Sequence, residues 1–372
     1  MQKIFTEDPN HEQWQMLSNF MYPANVERFF EESGTENHDK QLLELVSNSI
    51  LQAQEYFYAA SVVSLNISPL LLYYGTINLM FSASVLMLKR NVEIKNHGIK
   101  VELDGNSLNR LADIEITPYF STQDGGLFQF CTAFCPEHNV LHYGSQSRWT
   151  LLEILGSIPE LKRDFEDCYN TQSHIIPIQV VKSQKDYVER VDKSEFRDLD
   201  IISDLKKIVN FDKNYFNPRL TSDYVNYPYV ILRRKIGGEQ LTEYSVFGQA
   251  FLQRSHAKQS HLISLPNIIY MYMGLFTLSY LSRYKPAIWS SFVKSDSTGE
   301  KRVIEKFLKI CKRALPNFIL NSIYSVNFCF VNEIIEPLDL SRELTEERVR
   351  ELFREELKKF RKEVFNDNLE NC

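Results

Sequence analysis

The sequence lacks the short motifs by which several enzyme classes are recognised. It contains no glycine-rich phosphate-binding loop of the P-loop or dinucleotide type, no Gly-x-Ser-x-Gly elbow and no His-Glu-x-x-His zinc motif. Residues 1–12 include no apolar stretch of the kind that signal peptides carry, and low-complexity tracts and internal repeats are missing as well. We therefore expect the six cysteines to be free thiols in a reducing, cytoplasmic compartment.

Charged residues are absent from two stretches that are each as long as a membrane crossing. One comprises residues 56–88 and the other residues 262–282, whereas a spanning helix needs about 20 apolar residues. Both contain proline, asparagine, serine and repeated tyrosines, and buried tyrosine hydroxyls find partners more readily in a protein core than in lipid. We predict that the two segments pack on each other in a soluble protein, with membrane insertion as the alternative.

Overall composition is that of a globular protein with an acidic balance. The net charge of −6 argues against a generally basic protein that coats nucleic acid, although it leaves room for a local basic groove. Hydrophobic residues make up 44% of the chain, which is enough for a substantial core. A length of 372 residues allows one large domain or two.

Hydrophobic spacing predicts helices towards both ends of the chain and short strands between them. Ser68 followed by Pro69 is typical of a helix start. The principal predicted helices are residues 39–58, 68–90, 300–315 and 345–365. The principal predicted strands are residues 99–103, 114–119 and 127–134, with a hairpin formed by residues 227–235 and 240–247.

These elements predict an α+β fold that is mostly α. The expected arrangement is a discontinuous helical core of residues 1–92 and 256–325, into which an α+β region of residues 93–255 is inserted. Residues 326–372 form a C-terminal extension with a long, charged amphipathic helix. The apolar stripe of that helix needs a covering surface, either in the same chain or in a dimer.

Several strings resemble the YaaC-like family of bacterial proteins. The most specific are the block Ser-Pro-Leu-Leu-Leu-Tyr-Tyr-Gly at residues 68–75 and the block Arg-Tyr-Lys-Pro at residues 283–286. Together with shorter strings, their order covers roughly residues 45–320. The resemblance implies a cytoplasmic bacterial protein, and it implies no particular reaction because the family has no firmly established biochemistry.

The tyrosine-tyrosine-glycine helix is also similar, more distantly, to a helix of HEPN domains. These are small helical bundles, many of them metal-independent ribonucleases in bacterial stress and phage-defence systems. Their signature is an arginine, four to six residues, and then a histidine at a helix start. Arg254 and His261 match that spacing, while Ser255 after the arginine departs from the family pattern.

The HEPN resemblance implies a specific division of roles and no cofactor. Arg254 would bind the phosphate, and His261 would act as acid or base at the ribose 2′-hydroxyl or the leaving oxygen. His256 and Lys258 would add positive field, and HEPN domains usually pair two such motifs across a dimer. The alternative is a solvated loop before a helix.

Other basic residues are candidates for phosphate or nucleic-acid contacts. Arg233, Arg234 and Lys235 end a predicted strand and either contact a phosphate backbone or form a solvated hairpin. Arg283, beside Tyr284, either grips a nucleotide by charge and stacking or interacts with the end of its own helix.

A possible zinc ligand set lies within twelve residues: Cys131, Cys135, His138 and His142. Two thiolates and two imidazoles suit tetrahedral zinc, but this spacing differs from that of most compact zinc sites. We favour a core cysteine and a loop that contains two histidines, and so expect no metal.

Three function classes remain open, one of which is the membrane-associated protein that follows if the uncharged segments insert into a bilayer. Another is a metal-independent ribonuclease that acts on RNA as a homo-oligomer. The third is a non-catalytic interaction module that binds a protein partner, or a second copy of the chain, through its C-terminal helix.

Overall fold

In the computed structural model, helices dominate the described part of the chain. That part consists of residues 1–34, 39–103, 110–119, 123–136, 147–182, 187–196, 200–222, 228–239, 241–258 and 261–331. Small sheets accompany the helices, so the predicted α+β, mostly α fold class is confirmed. The C-terminal helix predicted at residues 345–365 lies outside the described residues.

The described residues contain twelve α-helices, which are α1 (Pro9–Ser18), α2 (Pro23–Glu32), α3 (Lys40–Val62), α4 (Ser68–Leu88), α5 (Gly126–Phe134), α6 (Leu151–Gly156), α7 (Lys162–Tyr169), α8 (Ile201–Leu205), α9 (Phe211–Asn214), α10 (Asn267–Tyr284), α11 (Pro286–Ser295) and α12 (Glu300–Tyr324). The strands are β1 (Gln2–Phe5), β2 (Ile99–Glu102), β3 (Glu115–Pro118), β4 (Trp149–Thr150), β5 (Ile175–Pro177), β6 (Gln179–Lys182), β7 (Tyr187–Asp192), β8 (Arg219–Ser222), β9 (Pro228–Arg233), β10 (Glu243–Tyr244), β11 (Ala250–Gln253), β12 (His256–Lys258), β13 (His261–Ile263) and β14 (Phe328–Val331).

Helix α4 begins and ends where local chemistry favours it. It starts at Ser68 with Pro69 in its first turn, as predicted, because proline there removes no helical hydrogen bond. It ends at Lys89, whose left-handed backbone (φ 53°) closes the last turn. Among the described helices, α4 is long and apolar enough to span a membrane, and 61% of its most apolar window is buried inside the protein.

The two uncharged helices pack on each other, as predicted. Tyr73 of α4 lies against Tyr272 and Phe276 of α10, with ring centroids 5.9 and 5.5 Å apart. All three side chains are buried in the larger hydrophobic cluster. The second uncharged stretch is not helical throughout, because β13 and Pro266 precede the start of α10 at Asn267.

The sheets are small, and the largest is the four-stranded antiparallel sheet β6-β7-β9-β8. The predicted hairpin of residues 227–235 and 240–247 is wrong, because β9 pairs with β7 and β8 while β10 pairs with β11. The strand predicted at residues 127–134 is also wrong and is helix α5. Its buried Leu127, Phe130 and Cys131 follow the i, i+3, i+4 spacing of a helix face.

Two hydrophobic clusters form the interior. The larger contains α1 to α4, α10 and α12, together with buried side chains of the described residues between Val92 and Phe165. The smaller is built on the four-stranded sheet, and its buried members include Val191, Phe196, Leu205 and Val230. The domain boundaries expected from the sequence, at residues 92 and 256, remain a prediction.

Glycines at two helix contacts permit close packing. A Cβ on Gly274 would lie 2.7 Å from Cζ of the buried Phe307, and one on Gly75 would lie 2.7 Å from Cδ2 of the buried Phe57. Replacing either glycine with alanine should therefore lower the free energy of unfolding by about 1–3 kcal/mol through overpacking. Chemical denaturation followed by circular dichroism measures this change.

Asn48→Ala is the control, since Asn48 is exposed in α3 and alanine favours a helix. It should change stability by less than about 0.5 kcal/mol or raise it slightly. If the free energy of unfolding of Gly75→Ala or Gly274→Ala rose as much as that of the control variant, close packing at these positions would be contradicted.

Candidate functional site

Arg254 is buried directly after β11 and is held by four hydrogen bonds and a close ion pair. Its Nε donates to Asp204 Oδ2 at 2.8 Å, and Nη2 lies 2.7 Å from the same oxygen. Nη1 donates to the carbonyl oxygens of Ser173 (3.1 Å) and Ile175 (3.5 Å), and Nη2 donates to that of Glu195 (2.9 Å). All three nitrogens of the guanidinium therefore contact acceptors within the protein.

This geometry gives Arg254 a structural role. Its side chain is 6% exposed and that of Asp204 is fully buried, and Lys207 is a second cationic partner of Asp204, since its Nζ donates to Oδ1 at 3.0 Å. The phosphate-binding role expected for Arg254 would require some of these contacts to break.

His261 begins strand β13 and pairs with Lys258 of β12 in a short antiparallel ladder. The helix start predicted at His261 is therefore wrong, since α10 begins at Asn267. The side chains of His261 and Lys258 lie outside the described part of the structure, so the acid–base role of His261 remains a prediction.

His256 of β12 is buried beside α6, His174 and Tyr270 of α10. Its Nε2 is 3.0 Å from Ser157 Oγ, and its Nδ1 is 3.6 Å from Glu153 Oε1. The ring lies 4.1 Å from that of His174, centroid to centroid. Because only 3% of His256 is exposed, its surroundings are those of a core histidine.

The proposed zinc ligands divide between described and undescribed residues. Cys131 and Cys135 are buried at the end of α5, while His138 and His142 lie outside the described residues. Burial raises the pKa of the Cys131 thiol well above its usual value, which disfavours the thiolate that zinc requires. Among the described residues, no group of three or more histidine, cysteine or acidic side chains is arranged to hold a metal ion.

Arg283 lies in the last turn of α10, where a cation interacts favourably with the helix dipole. Its guanidinium is 4.7 Å from the ring centroid of Tyr284 and 5.5 Å from that of Tyr74. Nη2 also donates to the Tyr284 hydroxyl at 2.7 Å. Both proposed roles, nucleotide contact and helix-end interaction, are compatible with this partly buried position.

The remaining predicted residues come together in one place, which we call the basic surface. Arg233, Arg234 and Lys235 line a concave region of about 1030 Å³ together with Arg219 and Phe216. The three arginines are exposed, and none of them forms an ion pair within the described residues.

Strand pairing determines which side chains face this region. Val230 and Leu232 of β9 are fully buried, so the alternate residues Ile231 and Arg233 point to the opposite face of the sheet. The register places Arg219 of β8 opposite Ile231. Arg190 of β7 lies opposite Ile231 on the other side, so arginines flank this strand position from both neighbours.

The chain before β8 brings an aromatic ring to the same region. The backbone N–H of Phe216 donates to the Arg233 carbonyl at 2.9 Å. The Phe216 side chain is 52% exposed, and Lys235 Nζ lies 6.0 Å from its ring centroid. Gly238 closes the adjoining turn, where a Cβ would lie 2.7 Å from the Asn214 carbonyl oxygen.

The sequence predicted three of the five residues named for the basic surface. Arg233, Arg234 and Lys235 were found as a run of bases, whereas Arg219 and Phe216 were missed because only the β8–β9 register brings them alongside. The signal that the sequence offered for Phe216 and Arg219 was that both lie shortly before the strand predicted at residues 227–235, which is rich in β-forming residues. Cations that can bind phosphate beside an exposed ring that can stack on a base are typical of single-strand nucleic-acid sites.

A family model described as YaaC-like Protein matches residues 4–323 of the chain. Comparisons with curated proteins and with solved structures gave no match. The matched range includes the buried Arg254 cluster and the whole basic surface. No comparison supports the more distant similarity to HEPN domains.

The contacts of Arg254 generate a stability prediction. Arg254→Ala removes one of the two cationic partners of the buried Asp204 carboxylate and leaves only Lys207, so we expect the free energy of unfolding to fall by about 1–3 kcal/mol. Arg233→Ala is the matched control, because Arg233 is exposed and should cost less than about 0.5 kcal/mol. Urea unfolding measures both, and equal midpoints for the two variants would refute a structural role for Arg254.

Proposed function

The chain belongs to the YaaC-like family, since that family's model matches residues 4–323 of its 372, and from this premise we propose that it binds single-stranded nucleic acid. RNA is the expected polymer, and the basic surface is the binding site. The observation that supports the proposal is the grouping of four cations with an exposed phenylalanine in one concave region.

Electrostatics support this assignment. The chain carries a net charge of −6, so four neighbouring cations with no described acidic partner are a local departure from its overall charge. Their mutual repulsion costs free energy in the folded protein, and a phosphate backbone would offset it. Three of the four are arginines, whose planar forks bind phosphate oxygens in pairs.

The same residues indicate what kind of recognition to expect. Phe216 and the guanidinium groups can stack on any base, because every base presents a π-face. Binding should therefore be tolerant of sequence and strongly weakened by salt. We propose that this binding occurs in the bacterial cytoplasm, the compartment expected for the protein.

The triple variant Arg219→Gln, Arg233→Gln and Arg234→Gln should weaken binding of a fluorescent oligoribonucleotide. Since each phosphate contact on a single strand contributes about 0.7 to the salt slope, losing three should reduce the slope by about 2. Phe216→Ala should cost about 1–3 kcal/mol of binding free energy with little change in slope. Fluorescence anisotropy at several salt concentrations measures both effects.

The control is a second triple variant with the same loss of charge, namely Arg28→Gln, Lys40→Gln and Arg90→Gln. These side chains are exposed in the helical part of the protein, away from the four-stranded sheet. The control should bind almost as well as the unmodified chain. Equal losses in the two triple variants would show that only total charge matters, and absence of binding by the unmodified chain would refute the proposal.

Metal-independent RNA cleavage with a HEPN-like site remains a finer proposal for the same protein. It is supported by the spacing of Arg254 and His261, which are separated by six residues. Because the Arg254 side chain is already hydrogen-bonded within the protein, the basic surface would bind the phosphate in its place. His261→Ala should then abolish formation of cyclic phosphate ends on a labelled RNA, while anisotropy shows unchanged binding. Cleavage at an unchanged rate in the variant, or none by the unmodified chain, would remove this finer proposal.

A further inference from the structure

The four-stranded sheet β6-β7-β9-β8 has one face against the smaller hydrophobic cluster and one open face. On β9, Val230 and Leu232 are fully buried, so the side chains of the alternate residues lie on the open face. These residues are Tyr229, Ile231 and Arg233, of which the first two are partly exposed and the third is exposed. The basic surface occupies the Arg233 end of this face, and Tyr229 lies towards the other end.

Two aromatic side chains therefore lie on the same face. Phe216 is beside Arg233, because its backbone N–H donates to the Arg233 carbonyl, and its ring is 52% exposed. Tyr229 lies four residues before Arg233 on the same strand, which corresponds to about 13 Å at the rise of a β-strand. The two rings are thus near opposite ends of β9.

The Tyr229 side chain is available to a ligand. Buried tyrosines normally find a hydrogen-bond partner, as Tyr73 and Tyr272 do in the helical core. Tyr229 is partly exposed, and among the described residues its hydroxyl forms no hydrogen bond and its ring contacts no other aromatic ring. No contact with a described polar or aromatic side chain would have to break before a base could stack on this ring.

Arginines lie between the two rings. Arg219 of β8 pairs with the position midway between Tyr229 and Arg233. Both arginines are exposed, and neither forms an ion pair within the described residues. Asp192 of β7 lies opposite Tyr229, but its Oδ1 accepts hydrogen bonds from the N–H and the hydroxyl of Ser194 and is held in that turn. Along the open face, positive charge therefore separates one ring from the other.

We propose that a single strand of RNA lies along β9 on this open face, with one base stacked on Phe216 and a second base stacked on Tyr229. Arg219 and Arg233 contact the phosphates between these two bases. Aromatic side chains on the open face of a four-stranded sheet are known to stack two or three RNA bases in this way. The inference rests on the proposed function and specifies its substrate as RNA with a run of unpaired bases.

The separation of the rings sets the length of RNA that is needed. Stacked nucleotides rise about 3.4 Å each along one strand, so about 13 Å corresponds to about four steps in a stacked strand and to fewer in an extended one. A dinucleotide therefore reaches only one of the two rings, whereas a pentanucleotide reaches both. The contribution of Tyr229 to binding should consequently depend on the length of the RNA.

Fluorescence anisotropy on the full chain tests this with labelled oligouridylates of two and five nucleotides. Tyr229→Ala should weaken binding of the pentanucleotide at least about fivefold, since one stacked base is lost. It should change binding of the dinucleotide far less, because a dinucleotide can still occupy Phe216. Equal affinities of Tyr229→Ala and the unmodified chain for the pentanucleotide would overturn the inference.

Further variants separate the ring from other effects. Tyr229→Phe keeps the ring and should bind like the unmodified chain, whereas Tyr229→Leu keeps an apolar side chain without a ring and should bind weakly even if the alanine variant does not fold. Tyr58→Ala is the matched control, because Tyr58 is 72% exposed on α3, away from the sheet.

The same measurements distinguish this inference from the function on which it rests. Binding that falls in Phe216→Ala but not in Tyr229→Ala or Tyr229→Leu would leave the proposed function in place and remove the second stacking position. Absence of binding by the unmodified chain would remove both.

Discussion

The contact between the two uncharged helices is the constraint on which the rest of the fold depends. Both α4 and α10 are apolar on nearly all sides, so each must be surrounded by protein, and each forms part of the other's surroundings. Their buried tyrosines are satisfied locally, because the Tyr73 hydroxyl is 2.8 Å from His97 Nδ1 and the Tyr272 hydroxyl donates to the His97 carbonyl at 3.0 Å. The segment around His97 is thereby fixed against both helices.

The smaller cluster is connected to this helical core through a buried polar junction. Arg254 stands between β11, which contributes to the smaller cluster, and β12, which leads towards α10. Its guanidinium joins α8, the turn at Glu195 and the segment of residues 173–175. A buried ion pair is costly to desolvate, and here three carbonyl oxygens and the Asp204 carboxylate accept hydrogen bonds from the guanidinium. The junction therefore specifies one relative arrangement of these segments.

The sequence could predict those structural features that depend on residues close together in the chain. The start of α4 at Ser68 and Pro69, the amphipathic α12 and the packing of the uncharged segments all follow from local pattern. The pairing of β9 and the burial of Arg254 do not follow from local pattern. Strand β9 pairs with β7, which lies well before it in the chain, and the Asp204 partner of Arg254 lies 50 positions before it. Helix α5 was mistaken for a strand because a short apolar run permits both interpretations, and only its i, i+3, i+4 spacing separates them.

Arginines in three environments show why residue type alone did not locate a site. The guanidinium of Arg254 is hydrogen-bonded within the protein, Arg313 has one buried nitrogen without a described partner, and Arg233 is exposed beside other cations. Hydrogen bonding within the protein favours a structural role, since binding a ligand would first break existing hydrogen bonds. A fully buried nitrogen is out of a ligand's reach, whereas an exposed cluster of cations favours an extended polyanion. The partners of each side chain, which depend on contacts between distant segments, therefore determine which arginine can serve which function.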